Sequence, residues 1–247
     1  MATEKHSKGR SPAYHSYLVK RLRMASFFML VHSAVPTTIA ATALADTGRL
    51  PAQEAEVFKT SARIWRKFVT DLTADDFHRL CDEIWHAWNV DSFIHYMTEI
   101  LLDVFVHRPE VLRSTETIPV IDILSCDDMT EIVRKIAERK VEALNYRSFD
   151  DLLTYIRTNL GLPLECDEGI VAQVKEAIEV RNIIAHNGGR VSALFLRRTK
   201  RTDLTDGQLF PLNQAYVLDK NRSMERLVEA LDSGIVEHFK LQHERRK

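Results

Sequence analysis

Glycine and proline are scarce in this chain of 247 residues, at 8 and 7. Leu, Ala, Glu, Arg and Lys dominate instead, which speaks against a turn-rich architecture and predicts a mainly helical protein. Cysteine is nearly absent: Cys81, Cys126 and Cys166 are odd in number, widely spaced and form no C-x-x-C. That excludes a disulfide framework and a cysteine-based zinc site, and predicts reduced, mostly buried thiols in a cytoplasmic protein. The Glu-x-x-His formed by Glu83 and His86 has no second copy, so a four-helix di-iron site is excluded. There is no glycine-rich phosphate loop, because Gly188-Gly189 ends a helical pattern and does not open one. Aromatic and basic residues do not interleave as in a base-stacking surface, so Trp65, Trp85 and Trp88 read as core. No internal repeat, low-complexity tract, metal motif or cofactor motif is present.

Charge is also lacking where a membrane segment would need its absence. Met24 to Ala45 carries no charged residue, Lys20, Arg21 and Arg23 precede it, and Ala43-Leu44-Ala45 resembles a signal-peptidase site. Ser26, His32, Ser33, Pro36, Thr37, Thr38 and Thr42 dilute the stretch, however, and its continuous apolar run from Phe27 to Val31 is short. The polar leader is long for a signal peptide, so the segment predicts buried helix and no membrane association.

What is present is ample material for a core: 45% of the residues are hydrophobic and the net charge is only −1. Residues 1–12 read as a disordered tail. Helices are predicted over 13–34 and 37–48, and a third opens at Pro51 and runs to about 70. Thr73 reads as the N-cap of the next, with Asp75 and Asp76 in its first turn and a break near Asn89. Val90, Phe93, Ile94, Met97, Ile100, Leu101, Val104 and Phe105 then follow the i, i+3, i+4, i+7 rule, and Pro109 follows their end. A connector spans Pro119 to Cys126. The helix over 127–145 turns Ile132, Val133, Ile136, Val141 and Leu144 inward. Ser148 caps a short helix that stops at Gly161. A long helix runs from Glu168 to His186, one or two turns follow over 192–198, 203–217 reads as a small hairpin, and 219–245 as the last helix. The expectation is an all-α fold in three parts: the tail, a helical extension over 13–88, and over 89–247 a bundle of four to five helices.

The most informative stretch lies at the end of the Glu168 helix: Glu179-Val180-Arg181-Asn182-Ile183-Ile184-Ala185-His186-Asn187-Gly188-Gly189. With Arg181 at zero on an ideal helix, Ile170, Val171, Val174, Ala177, Ile178, Ile184 and Ala185 fall between about −60° and +80°. Arg181 is therefore predicted at the centre of the apolar stripe, with Asn182 at about 100° and His186 at about 140°, on its edge. A guanidinium there is costly unless paired. One account is structural: Arg181 meets an acid on another helix, for which Glu99, Asp103 and Asp122 are candidates, and His186 complements the helix dipole. The other is chemical. An uncharged imidazole accepts a proton near pH 7. A guanidinium holds a phosphate through two parallel hydrogen bonds and stabilises charge building on it. Asn182 shares the face of His186 and can fix a substrate or a tautomer. The set suits metal-independent RNA cleavage by attack of the 2′-hydroxyl on its own phosphate, leaving a 2′,3′-cyclic phosphate and a 5′-hydroxyl. Spacing alone does not decide, because Arg10 with His15 and Arg79 with His86 also have four to six residues between them. His95 and Glu99, one turn apart, read as a surface pair.

The surrounding charge adds to the chemical account. From Arg181 to Thr202 there is no acidic residue, while Arg181, Arg190, Arg197, Arg198, Lys200 and Arg201 are all basic. Such a run is either a solvated face or an RNA-binding patch beside the site; its position favours the patch.

Arg181-Asn182-x-x-x-His186 closing a helix resembles the signature of the HEPN superfamily of all-α ribonucleases and nucleotide-binding domains. Asp91-Ser92-Phe93 through Leu102, Asp122 to Ser125, Val141-x-x-Leu144-x-Tyr146-x-Ser148-Phe149-x-Asp151, Leu160-Gly161, and His186-Asn187 through Leu196-Arg197-Arg198-Thr199 resemble its RiboL-PSP-HEPN branch. The likeness covers roughly residues 90–200, and only the Arg-Asn-x-x-x-His is specific. It implies an HEPN-like bundle and a homodimer with a composite site. It also implies metal-independent endoribonuclease activity in a toxin, with an antitoxin protein as partner, or in a phage-defence effector. Carried over by position, Arg181 polarises the phosphate, His186 is general base or acid, and Asn182 supports both. Some HEPN domains are catalytically inactive modules that bind a nucleotide or a partner protein, and that is the alternative. Ile183, at about 200° and so opposite the stripe, fits a dimer face.

Overall fold

The computed structural model describes residues 9–68, 74–112, 119–162 and 166–241. Among them run nine α-helices: α1 (Pro12–Asp46), α2 (Ala52–Phe68), α3 (Ala74–His107), α4 (Val120–Leu124), α5 (Met129–Asn145), α6 (Phe149–Thr158), α7 (Glu168–Asn187), α8 (Ala193–Thr199) and α9 (Gln214–Phe239). A single 3-10 turn, Pro109–Val111, follows α3. The described residues hold no strand; one isolated antiparallel bridge joins Arg190 to Leu209. The fold is all-α.

Helix α3 is the axis. Its 34 residues extend about 51 Å, and α1, α5, α7 and α9 all pack on it. The apolar period of the sequence explains why: Val90, Phe93, Met97, Ile100, Leu101, Val104 and Phe105 are buried in the main core. Inward residues of the neighbours complete it, among them Val141 and Leu144 of α5, Leu153 and Ile156 of α6, and Leu227, Leu231 and Ile235 of α9. Local signals set several ends. Ser148 and Asp151 form a reciprocal capping box on α6, Asn213 caps α9, and Gly188 ends α7 in the left-handed conformation.

Two expected breaks are absent. Pro36 lies inside α1, which runs unbroken from Pro12 to Asp46. Asn89 lies inside α3, buried, and its amide donates to the Trp85 carbonyl at 2.8 Å, so the polar group is satisfied within its own helix. The boundary at 88/89 therefore falls within one continuous helix, and Ala13, Tyr14 and Tyr17 of α1 belong to the same core as the bundle. The anticipated hairpin within 203–217 is instead a pairing of 189–191 with 207–210: Phe210 N–H donates to Gly189 and Val191 N–H to Gln208. Thr73 and residues 1–8 lie outside the described residues, as do the side chains of Trp65 and Asp122. All three cysteines are free thiols, Cys81 buried and the others half-buried.

Residues 10–12, read as tail, are instead firmly held. The Ser11 hydroxyl caps α1 and also donates to the Asp232 carboxylate of α9. Asp232 is fully buried and further accepts from the Ser11 N–H at 3.2 Å and the Tyr96 hydroxyl at 3.4 Å. Arg10 donates to the Glu229 carbonyl at 2.8 Å and to the Ser233 hydroxyl at 2.7 Å. Among the described residues no helix is long and apolar enough to cross a membrane. The uncharged segment 24–45 buries Phe28, Thr42 and Ala45 and leaves Phe27, Met29 and Leu30 exposed.

The latch gives a graded expectation. Asp232→Ala leaves the Ser11 and Tyr96 donors buried and unpaired and should cost about 3 kcal/mol. Ser11→Ala, which removes mainly a cap, should cost about 1 kcal/mol. Urea unfolding followed by circular dichroism measures both, and equal losses would contradict this ranking.

Candidate active site

Helix α7 begins at Asp167, whose carboxylate accepts from the Gly169 N–H at 2.6 Å. Its buried residues are Val171, Val174, Ala177, Val180 and Ile183. They recur every three residues, so the buried face turns by about −60° at each step. The cause is tertiary. Val171, Val174 and Ala177 face the main core, whereas Val180 and Ile183 enter a second cluster with Phe28, Trp85, Phe195 and Phe210. A single straight stripe centred on Arg181 is therefore a misreading of this helix. By its end the apolar face has rotated away, which leaves Arg181 at the margin and His186 in solvent. Ile183 is covered by the chain's own second cluster and is not free to form a dimer face.

Arg181 does pair with an acid. Its Nη2 lies 2.9 Å from Asp91 Oδ1 on α3, with the two side chains 30% and 51% exposed. This is a surface contact, worth little in stability. Of the acids named from sequence, Glu99 pairs with His95 at 3.0 Å and Asp103 with His107 at 3.1 Å, each with a histidine one turn away, while the side chain of Asp122 lies outside the described residues. Asp91, missed as a partner, is marked in sequence only by standing on the polar side of the regular α3 pattern. Asn182 is half-buried beside Arg181. His186 is exposed in the last turn, and its ring bonds to none of the described residues. Arg181 and Asn182 are both half-buried, and no hydrogen bond joins the guanidinium to His186 among the described residues.

Beyond His186 the chain turns through two successive left-handed glycines, Gly188 (φ 58°) and Gly189 (φ 73°), and the Gly189 N–H closes on the Ile183 carbonyl at 3.0 Å. It then reaches Ser192, the N-cap of α8. The basic run that follows is basic in sequence more than in space. Arg190 donates to the Gly207 carbonyl at 3.1 Å. Arg198 pairs with Glu179 at 3.0 Å, and Arg201 with Glu176 at 2.9 Å and Asp203 at 2.5 Å. The hydrogen bonds from Arg201 push the Asp203 carboxyl down to about 2. Only Arg197 and Lys200 of the run after the glycines stay exposed without a partner among the described residues. The neutralising acids Glu176 and Glu179 sit on α7, 25 and 19 residues from their arginines, beyond the reach of a window count.

Glu176 also accepts from the Tyr216 hydroxyl at 3.0 Å and lies 3.6 Å from the buried Lys220 ammonium. Burial pushes the Lys220 ammonium downward, opposed by Glu176, and burial raises the Tyr216 phenol. The Glu-x-x-His is structural: Glu83 pairs with Arg79 at 3.0 Å. His86, completely buried, donates from Nε2 to the Ala177 carbonyl of α7 at 2.9 Å and leaves Nδ1 unpartnered. Trp85 is core as read from sequence, whereas Trp88 is half exposed. Among the described residues no three His, Cys, Asp or Glu side chains form a metal-binding group. No protein-family model, no curated protein and no solved structure matches the chain.

Two measurements follow. Burial pushes His86 down to about 4, with the Ala177 hydrogen bond opposing and Lys220 adding to the shift. A depressed histidine contributes stability above its unfolded value, near 6.5, and loses it as the pH falls towards 4. The loss should amount to about 3 kcal/mol. His86→Gln keeps the donor without the titration and should flatten that part of the stability profile. Asp91→Ala, by contrast, should change unfolding free energy by less than about 1 kcal/mol; a loss several times larger would make the Arg181 pair a structural element.

Proposed function

We propose that the chain is a cytoplasmic, homodimeric HEPN-type endoribonuclease that cleaves RNA without metal and serves as a toxin or phage-defence effector. The observation that carries this reading is the solvent-facing, unpartnered His186 in the last turn of α7, four residues after Asn182 and five after Arg181. The signature is thereby accessible to a substrate. The stretch that carries the likeness, residues 90–200, runs from α3 through α8.

In this reading His186 accepts the 2′-hydroxyl proton, the new O2′–P bond forms, and the P–O5′ bond breaks as the departing 5′-oxygen takes a proton from water to become the 5′-hydroxyl. Arg181 exchanges Asp91 for the phosphate and stabilises its transition-state charge. On an ideal helix Arg181 and His186 lie about 140° apart, so Arg181 of one chain acts beside His186 of the other. Support for pairing comes from α3, where Leu80, Ile84 and Trp88 are each nearly half exposed and lie on the face that carries Asp91. Arg197 and Lys200, the cations left free, would meet the RNA backbone. An antitoxin would be a separate protein covering this surface. The Arg181–Asp91 pair favours the second reading, a catalytically silent HEPN module that binds a nucleotide or a partner protein.

One assay separates them. Purified protein is incubated with mixed RNAs in EDTA and the product ends are analysed. The enzyme should yield 2′,3′-cyclic phosphate ends, and Arg181→Ala and His186→Ala should each reduce the rate by at least about 100-fold. Intact RNA, or cleavage that survives both substitutions, would sink the nuclease reading.

A further inference from the structure

We infer that the Arg79–Glu83 ion pair on α3 is a positioning device for His186, an inference that rests on the endoribonuclease reading. His186 has nothing of its own to hold it: its ring is exposed and bonds to no described residue. What the fold fixes for this residue is the backbone at the end of α7, and with it the point from which the ring projects. Helix ends fray unless something outside the helix fixes them.

That something is visible in α3. Arg79 Nη1 donates to the Phe210 carbonyl at 3.0 Å, and Nη2 lies 3.0 Å from Glu83 Oε1. Phe210 in turn donates its N–H to the Gly189 carbonyl at 2.9 Å. Gly189 itself lies flat against the pair: a Cβ built there would stand 3.0 Å from Glu83 Oε1 and 3.1 Å from Arg79 Nη2. One guanidinium thus grips one side of the Arg190–Leu209 bridge and backs directly onto the other, three residues after His186. The side chains of Arg79 and Glu83 are 24% and 19% exposed, so the pair is partly shielded from water.

The two glycines consequently have different tasks. Both need the left-handed backbone, but Gly188 faces open space, with nothing within 4 Å of a built Cβ. Gly188 lets the chain reverse. Gly189 lets it press onto Arg79 and Glu83. A proton-transferring imidazole must be held to within about 0.5 Å of its working place, and these contacts supply the backbone part of that restraint, the substrate supplying the rest. Arg79 is a positioning residue and touches no substrate.

The glycines supply the test and its control, because an alanine at either bears the same left-handed strain and only one meets the ion pair. RNA cleavage in EDTA and the NMR signal of the His186 ring are measured in Gly188→Ala, Gly189→Ala, Arg79→Gln and Arg79→Lys, with thermal melting to confirm folding. Gly189→Ala and Arg79→Gln should lower kcat at least about ten-fold, leave KM within about two-fold, and shift and broaden the His186 signal. Gly188→Ala should stay within about three-fold, and Arg79→Lys, which keeps the charge but cannot reach Phe210 and Glu83 together, should recover only part of the loss. Equal effects of the two alanines, or an unmoved His186 signal in Arg79→Gln, would overturn the proposal. A parent chain that cleaves no RNA defeats the nuclease reading, and the His186 signal then decides the positioning claim on its own.

Discussion

Helix α7 must bury one side in two different places. Its first half lies on the core built around α3, α5 and α9, and its second half enters a smaller cluster formed with α1, α3, α8 and the segment at Phe210. A straight helix satisfies both only if its apolar residues spiral around it, which the three-residue recurrence from Val171 to Ile183 achieves. Everything at the candidate site depends on that spiral. It carries Ile183 inward, sets Arg181 at the margin where it meets Asp91, and delivers His186 to solvent. Costly burial of a lone guanidinium never arises.

The same helix organises the charges. Three of its polar side chains, Gln173, Glu176 and Glu179, face α8, α9 and the segment just after α8, where they receive Lys220, Tyr216, Arg201 and Arg198. Arg181 turns instead to Asp91 of α3, and His186 stays exposed. A run of six basic residues is reduced to a smaller set of solvent-facing cations by acids that arrive from elsewhere in the fold, so the electrostatic footprint offered to a polyanion is narrower than the sequence suggests.

Legibility followed the range of the interaction. The core residues of α3, the capping box at Ser148 and Asp151, and the stop at Gly188 are local, and each stands where the period or the cap chemistry put it. Pro36 and Asn89 lie inside continuous helices where local propensity predicts breaks, and the Asn89 amide finds its carbonyl partner one turn back. The Arg181 partner, the neutralisation of Arg198 and Arg201, and the burial of Ile183 were hidden from the sequence. Each depends on helices far apart in the chain. Even Arg79, noticed only for its spacing from His86, acquires meaning once Phe210 and Gly189 are folded against it.

The clasp between Ser11 and Asp232 bridges 221 residues. On a ribosome, the beginning of α1 emerges long before its partner exists, and the closing contact waits until α9 has been synthesised. For most of translation Tyr14 lacks the Glu229 carboxylate that its hydroxyl meets in the finished fold. A polypeptide that stops before α9 lacks Asp232 and cannot fasten the start of its first helix.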